Sequence, residues 1–319
     1  MSKNYPLKCY PFFKIIIVLV FSFSTRSFSQ VQFVDSNLPI LLINTDIDTN
    51  TSQPLEITDE PKVLATMKII RRPDGTRNYL TDQNSPEFLN YNGRIKIELR
   101  GSSSMELKKK SYSLTTVKSD NTSNNNVSIL GMPSENDWIL NSLAFDPSLI
   151  RDYLSYDISR KLGNYASRTQ YCEVILNGDY IRLYVFQEKI KANANRVDVA
   201  KIEKTDNSLN NLTGGYITKA DRPDINEPPT WVMEDTNFVH VLPKPENATP
   251  EQTAYIKGEF DRFSDNLYNY DLENGYQTII DVPSFVDFML VNELSSNADA
   301  YQYSTFFHKD RGGKLRAGP

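Results

Sequence analysis

The sequence predicts an α+β fold, with a strand-rich first half followed by a helix-rich second half. Three observations predict it. Arg94-Ile95-Lys96-Ile97-Glu98-Leu99-Arg100 alternates strictly, which places Ile95, Ile97 and Leu99 on one face of a strand. Two strand-forming runs, 171–176 and 180–186, flank Asn177-Gly178, the dipeptide that supplies the positive φ angles of a tight type I′ turn. Beyond residue 249, helix-start signals introduce patterns of apolar residues at helical spacing.

At the N-terminus, Lys3, Lys8 and Lys14 precede the apolar run from Ile15 to Phe21, and small polar residues follow, including Ser27-Phe28-Ser29. A run of that length is too short to span a bilayer, so residues 1–30 read as a cleavable signal peptide, with an uncleaved membrane anchor as the alternative. The expected location is therefore secreted, extracellular or at the cell surface, with no membrane insertion after cleavage. Residues 1–30 hold four of the 35 basic residues (Lys3, Lys8, Lys14, Arg26) and none of the 40 acidic ones, which leaves 31 against 40. That balance offers no electrostatic footprint for nucleic acid. Of the two cysteines, Cys9 lies in the signal and Cys172 remains alone, so no intrachain disulfide is expected. His240 and His308 are the two histidines, and without a cysteine cluster they argue against a zinc site.

Strands are expected over 38–45 and 63–71, and again around Tyr112 and Leu114. The Asn/Ser-rich stretch 118–126 reads as a surface loop. A helix is expected to open at Asp146-Pro147 and end at Gly163, burying Leu149, Ile150, Tyr153, Leu154, Ile158 and Leu162. Further strands follow at 214–220 and 238–242. Thr249-Pro250-Glu251-Gln252 is a capping-box pattern opening a helix with Tyr255, Ile256, Phe260, Phe263 and Leu267 on its apolar side. Val282-Pro283 opens another, carrying Phe285, Phe288, Met289 and Leu294. Asp310-Arg311-Gly312-Gly313 then joins two strands of a last hairpin.

Several residues stand out for chemistry, each with a plainer reading beside it. Lys189 lies in the charged run Glu188-Lys189-Ile190-Lys191, and such runs usually form a solvated face. Asp299 follows Asn297, and both types often simply close a helix or turn. Arg100 ends its strand on the polar face, where exposure is the default. Arg151 is either a phosphate ligand or a structural ion pair. Trp138 and Trp231 read as core, and Cys172 as buried and inert.

Taken in order, these residues carry a resemblance. Arg100-Gly101-Ser102-Ser103-Ser104, followed by Lys109 and Tyr112, resembles the "RGNSS…K…Y" segment of the spore coat protein H (CotH) kinase-like family, with Ser102 where Asn is usual. Gly131-Met132 with Asp137-Trp138, then Asp146, Ser148, Leu149 and Arg151, then Glu188-Lys189-Ile190 and Gly214-Gly215-Tyr216 follow in family order. Asn292-Glu293, Asn297-Ala298-Asp299-Ala300-Tyr301, Ser304-Thr305, Lys309-Asp310 and Gly312-Gly313-Lys314 through Ala317-Gly318-Pro319 complete the set. Residues 31–319 thus resemble a CotH kinase-like domain.

The resemblance implies an atypical protein-kinase-like, two-lobed fold that uses ATP with Mg2+ or Mn2+ and acts on Ser or Thr of a protein substrate outside the cell or at its surface. It implies Asp299 as the catalytic acid, and Arg100, Lys109, Arg151, Glu188 and Lys189 as the nucleotide-binding set. Phosphoryl transfer suits such residues, because it asks a protein to hold phosphates, screen their charge and orient a hydroxyl. In the family the segment ending Ala-Gly-Pro runs into Val-Trp-Asp-Phe-Asp, whose first Asp would hold the metal. The sequence is therefore expected to be C-terminally incomplete. The alternative is a non-catalytic surface or structural protein that keeps the fold for binding.

Overall fold

Where apolar residues alternate, strands form and share one buried side. The computed structural model describes residues 33–222 and 228–318, so the signal-peptide reading of residues 1–30 lies outside the described residues. Asp35–Pro319 forms one compact unit. Its first half runs β1 (Asp35–Ser36), β2 (Ile40–Thr45), β3 (Val63–Ile70), β4 (Asn78–Tyr79), β5 (Leu89–Arg100), β6 (Ser111–Val117), β7 (Val127–Ile129), β8 (Met132–Glu135) and β9 (Asp137–Asn141). Helix α1 (Arg151–Lys161) follows, then the hairpin β10 (Thr169–Leu176) and β11 (Asp179–Glu188).

Seven of these strands close into a barrel in the order β10-β11-β9-β6-β5-β3-β2. All neighbours are antiparallel except the closing pair, where β2 runs parallel to β10 with Ile40 opposite Glu173 and Ile43 opposite Leu176. Alternation turns Ile43, Met67, Ile95, Ile97, Leu114, Trp138 and Phe186 into one core. Trp138 stacks on Phe186 at 5.3 Å between ring centres. The turn of the hairpin is as expected, with Asn177 at φ 51° and Gly178 at 87°. Asn177 also accepts a 2.9 Å bond from the Thr45 backbone, tying the turn to the end of β2. Cys172 is buried, and burial pushes its thiol pKa up.

Beyond the barrel come a single helical turn α2 (Leu209–Leu212), β12 (Tyr216–Ala220), β13 (Trp231–Met233), β14 (Thr236–Leu242), α3 (Pro250–Asp265), α4 (Val282–Ser295), β15 (Thr305–Lys309) and β16 (Arg316–Ala317). The strands form one sheet in the order β13-β14-β12-β15-β16. The second half is thus not simply helix-rich: the expected hairpin of β15 and β16 joins β12 and β14 in a sheet on which α3 packs, through Tyr216, Trp231, Phe238, Ile256 and Phe260. The capping box at Thr249 forms, with the Thr249 hydroxyl accepting from the Gln252 backbone at 3.2 Å.

Three helical expectations need correction. The helix expected from Asp146 begins at Arg151, because the Asp146 carboxylate holds the backbone N–H groups of Ser148 (3.0 Å) and Arg151 (2.9 Å) in a turn, and Leu149 adopts φ 60°. Its stripe is not buried: Ile150, Leu154 and Leu162 are exposed, while Tyr153 stacks on Tyr171 at 4.9 Å. Leu267 lies past the end of α3 and is exposed, as are Met289 and Leu294 on α4, whose Phe285 packs inward.

Removing the Leu140 side chain, which is wholly buried in the barrel, is expected to cost about 2–5 kcal/mol by urea denaturation of Leu140→Ala. Burial also pushes the His240 imidazole down to about 4 from 6.5. The unfolded chain therefore takes up a proton that the folded one refuses. His240 stabilises fully above about pH 6.5 and loses roughly 1.4 kcal/mol per unit as pH falls towards 4. His240→Phe is expected to flatten that slope in melts run from pH 7 to 4.

Candidate functional site

The strand period of two decides which charges meet. Along β5, Ile95 and Ile97 point into the barrel, so Glu98 and Arg100 point outward. Thr115 of β6 and Asp137 of β9 stand opposite each other, and their side chains bond at 3.1 Å on the same outer face. Lys62, just before β3, bonds the Thr115 hydroxyl at 3.0 Å and pairs with Glu98 at 3.2 Å. Lys191 pairs with Asp137 at 2.8 Å and Glu135 at 3.0 Å. A belt of alternating charge therefore crosses the outer face of the barrel, bordered by an open cavity of about 520 Å³ lined by Glu60, Pro61, Lys62 and Glu98.

Lys189 and Arg100 face this belt. Both side chains are exposed. Burial lowers the Lys189 pKa, Asp137 opposes that shift, and the cations Lys62 and Arg100 reinforce it. Burial likewise lowers Arg100, against the pull of Tyr156, Asp152 and Asp221. Asp152 of α1 accepts a 2.8 Å bond from Asn141, and burial raises its pKa. Burial also pushes the Tyr156 phenol up to about 12.

Glu188 and Lys189 are neighbours in sequence but not in space. Glu188 is fully buried, paired with Arg168 at 3.0 Å and Arg196 at 3.8 Å, so it does not reach the cleft. The acid that faces Lys189 is Asp137. Lys109 is engaged within the fold: its ammonium donates to the backbone carbonyls of Ser142 (2.9 Å) and Leu183 and lies 4.6 Å from the centre of the Tyr184 ring. Arg151 is exposed and only 3.9 Å from Asp146, an ion pair at the start of α1. Of the five residues expected to bind nucleotide, the structure gathers Arg100 and Lys189.

Asp299 enters from the second sheet. Helix α4 ends at Ser296, in the left-handed region at φ 50°, and Asn297 folds back through bonds to Asn292. The Asp299 N–H donates to Asn297 Oδ1 at 3.2 Å, leaving the carboxylate exposed 4.0 Å from the Arg222 guanidinium. Arg222 stacks 4.3 Å over Tyr303. A cavity of about 490 Å³ opens here between Asp221, Arg222, Asp235, Thr236, Asn237, Gln302 and Tyr303. Asp221 links the two sides: it acts electrostatically on Arg100, pairs with Lys219 at 3.1 Å and accepts from the Ser304 backbone at 3.4 Å. Sequence reasoning missed Asp221 and Arg222, although both follow directly on a strand end, where binding residues collect.

Lys62 lines the open cavity, where it pairs with Glu98, and Lys62 and Arg100 act electrostatically on Lys189; cations of this kind suit phosphate ligands. For a divalent cation the match is weaker: no group of three or more His, Cys, Asp or Glu stands close enough to hold a metal among the described residues.

Comparison with known families matches residues 97–319 to the family described as CotH kinase protein, and the chain belongs to that family. No curated protein matches it.

Because Glu188 is enclosed with two arginines, Glu188→Gln is expected to lose about 3–5 kcal/mol in chemical denaturation. Lys189→Met, at an exposed position, is expected to change stability by no more than about 0.5 kcal/mol. The opposite ranking would exchange the roles assigned to these neighbours.

Proposed function

We propose that this protein is a secreted protein kinase that transfers the γ-phosphoryl group of ATP to Ser or Thr of a protein outside the cell or at its surface. The observation that supports the reading is that Arg100 acts electrostatically on Lys189 and is acted on by Asp221, while Asp299 pairs with Arg222, the residue after Asp221. In the kinase-like two-lobed reading, the barrel is the nucleotide side and the second sheet the acceptor side. Arg100 and Lys189 hold and screen the phosphates, which favours transfer because charge is already compensated when the bond breaks. Asp299 orients the acceptor hydroxyl and takes its proton. The acceptor oxygen then bonds to the γ-phosphorus, the bond from that phosphorus to the bridging oxygen breaks, and ADP leaves with the electron pair. Mg2+ or Mn2+, if bound with the ATP, would supply further charge neutralisation.

The ion pair between Asp299 and Arg222, with Ser102 at the family's Asn position, favours a second reading: a surface protein that binds a partner without turnover. Labelled ATP separates the two. The full-length protein is expected to move label onto protein acceptors, and Asp299→Ala to lose at least about a hundredfold of that rate. Equal label transfer by wild type and Asp299→Ala would remove the kinase assignment of this residue. Mg-ATP at about 100 times its Kd is expected to stabilise the fold by about 2.7 kcal/mol, and no stabilisation at all would favour the partner-binding reading. For export, the protein recovered outside the cell is expected to lack residues 1–30 by N-terminal sequencing.

A further inference from the structure

Lys189 stands one residue beyond β11, whose last paired position is Glu188 opposite Trp138. A residue past the last rung has no ladder to fix its backbone, so something else must aim its side chain. The chain turns sharply after it. Val197 N–H donates to the Lys191 carbonyl at 3.2 Å, and Asn193 N–H to the Val197 carbonyl at 3.0 Å, which brings Arg196 back beneath Lys189. The Arg196 side chain is only 1% exposed. Its Nη1 donates to the Lys189 carbonyl at 2.7 Å, and its guanidinium lies 5.1 Å from the centre of the Trp138 ring.

Neutralising Glu188 does not account for this placement. Arg168 already grips that carboxylate through Nη1 at 3.0 and 3.2 Å, and the Arg168 backbone N–H adds a bond at 3.0 Å. Arg196 is farther off, at 3.8 Å, and its short bond goes to the Lys189 carbonyl instead. A second buried arginine is also costly where one already suffices, and here one of its nitrogens, Nη2, has no hydrogen-bond partner. We propose that Arg196 is a positioning residue: it clamps the peptide of Lys189 beyond the end of β11 and so aims the Lys189 ammonium at the phosphates of a nucleoside triphosphate in the cleft. This rests on the nucleotide-binding reading above.

The test measures the Kd of a non-hydrolysable ATP analogue with Mg2+ by calorimetry on the full-length protein, with a melting temperature for every variant. Lys189→Met is expected to weaken binding by about tenfold or more, the worth of a charge-assisted bond. Arg196→Met should weaken it by about three- to tenfold, and the double variant should bind no worse than Lys189→Met alone, because the two residues act through one ammonium. Arg196→Lys keeps the charge but loses the planar fork, so it should weaken binding while melting close to wild type; it carries the comparison if Arg196→Met does not fold. The inference fails if both Arg196 variants melt lower yet bind with the wild-type Kd, or if their loss is undiminished in the Lys189→Met background. Wild-type affinity in Lys189→Met would instead overturn the nucleotide reading of Lys189 itself, and the role of Arg196 with it.

Discussion

Parallel pairing of β2 with β10 joins segments far apart in the chain and turns an open run of antiparallel strands into a barrel. The bond between Thr45 and Asn177 spans 132 positions, so its loop-closure entropy is offset only once the strands between have packed their apolar faces. The outer surface depends on that closure. With the interior filled by Met67, Ile97, Trp138 and Phe186, each strand has only its other face for polar groups. On β5, β6, β9 and the end of β11 those groups are Arg100, Thr115, Asp137 and Lys189. A slip of one residue in β5 would turn Lys96, Glu98 and Arg100 towards the core and Ile95 and Ile97 outward.

The chain as a whole is acidic, with 40 acidic against 35 basic side chains, and on the barrel face Lys62, Arg100, Lys189 and Lys191 are interleaved with Glu98, Glu135 and Asp137. The Lys189 pKa is lowered chiefly by burial, and the cations Lys62 and Arg100 add to that shift against the pull of Asp137 and Glu98. An anionic ligand opposes that shift, which makes the site better suited to phosphates than to a neutral molecule.

What depends on near neighbours was legible in the sequence. Asn177-Gly178 foretold its turn, Thr249 its capping box and residues 94–100 their strand. Arg100 and Lys189 were singled out through the family resemblance; on their own pattern each read as a solvent-facing position. Glu188 joined the expected nucleotide-binding set through the family resemblance of Glu188-Lys189-Ile190, although alternation sends neighbours to opposite faces. Lys109 could not be read, because its partners are carbonyls of Ser142 and Leu183 brought near by the fold. Asp137, Asp221 and Arg222 owe their roles to contacts between strands distant in sequence. The stripe on α1 misled for another reason: apolar spacing predicts a face but not whether anything covers it, and Ile150 and Leu154 remain open.

Cys172 sits in the middle of β10, wholly enclosed, and its Sγ lies 3.7 Å from the Tyr184 carbonyl. As a thiol kept neutral by its surroundings, it is closed to alkylating reagents while the barrel is shut. It is the one cysteine among the described residues. The speed at which a small alkylating reagent reaches it is therefore a clock for the opening of the barrel, and a bound nucleotide that holds β5 and β11 together would slow that clock without touching the sulfur.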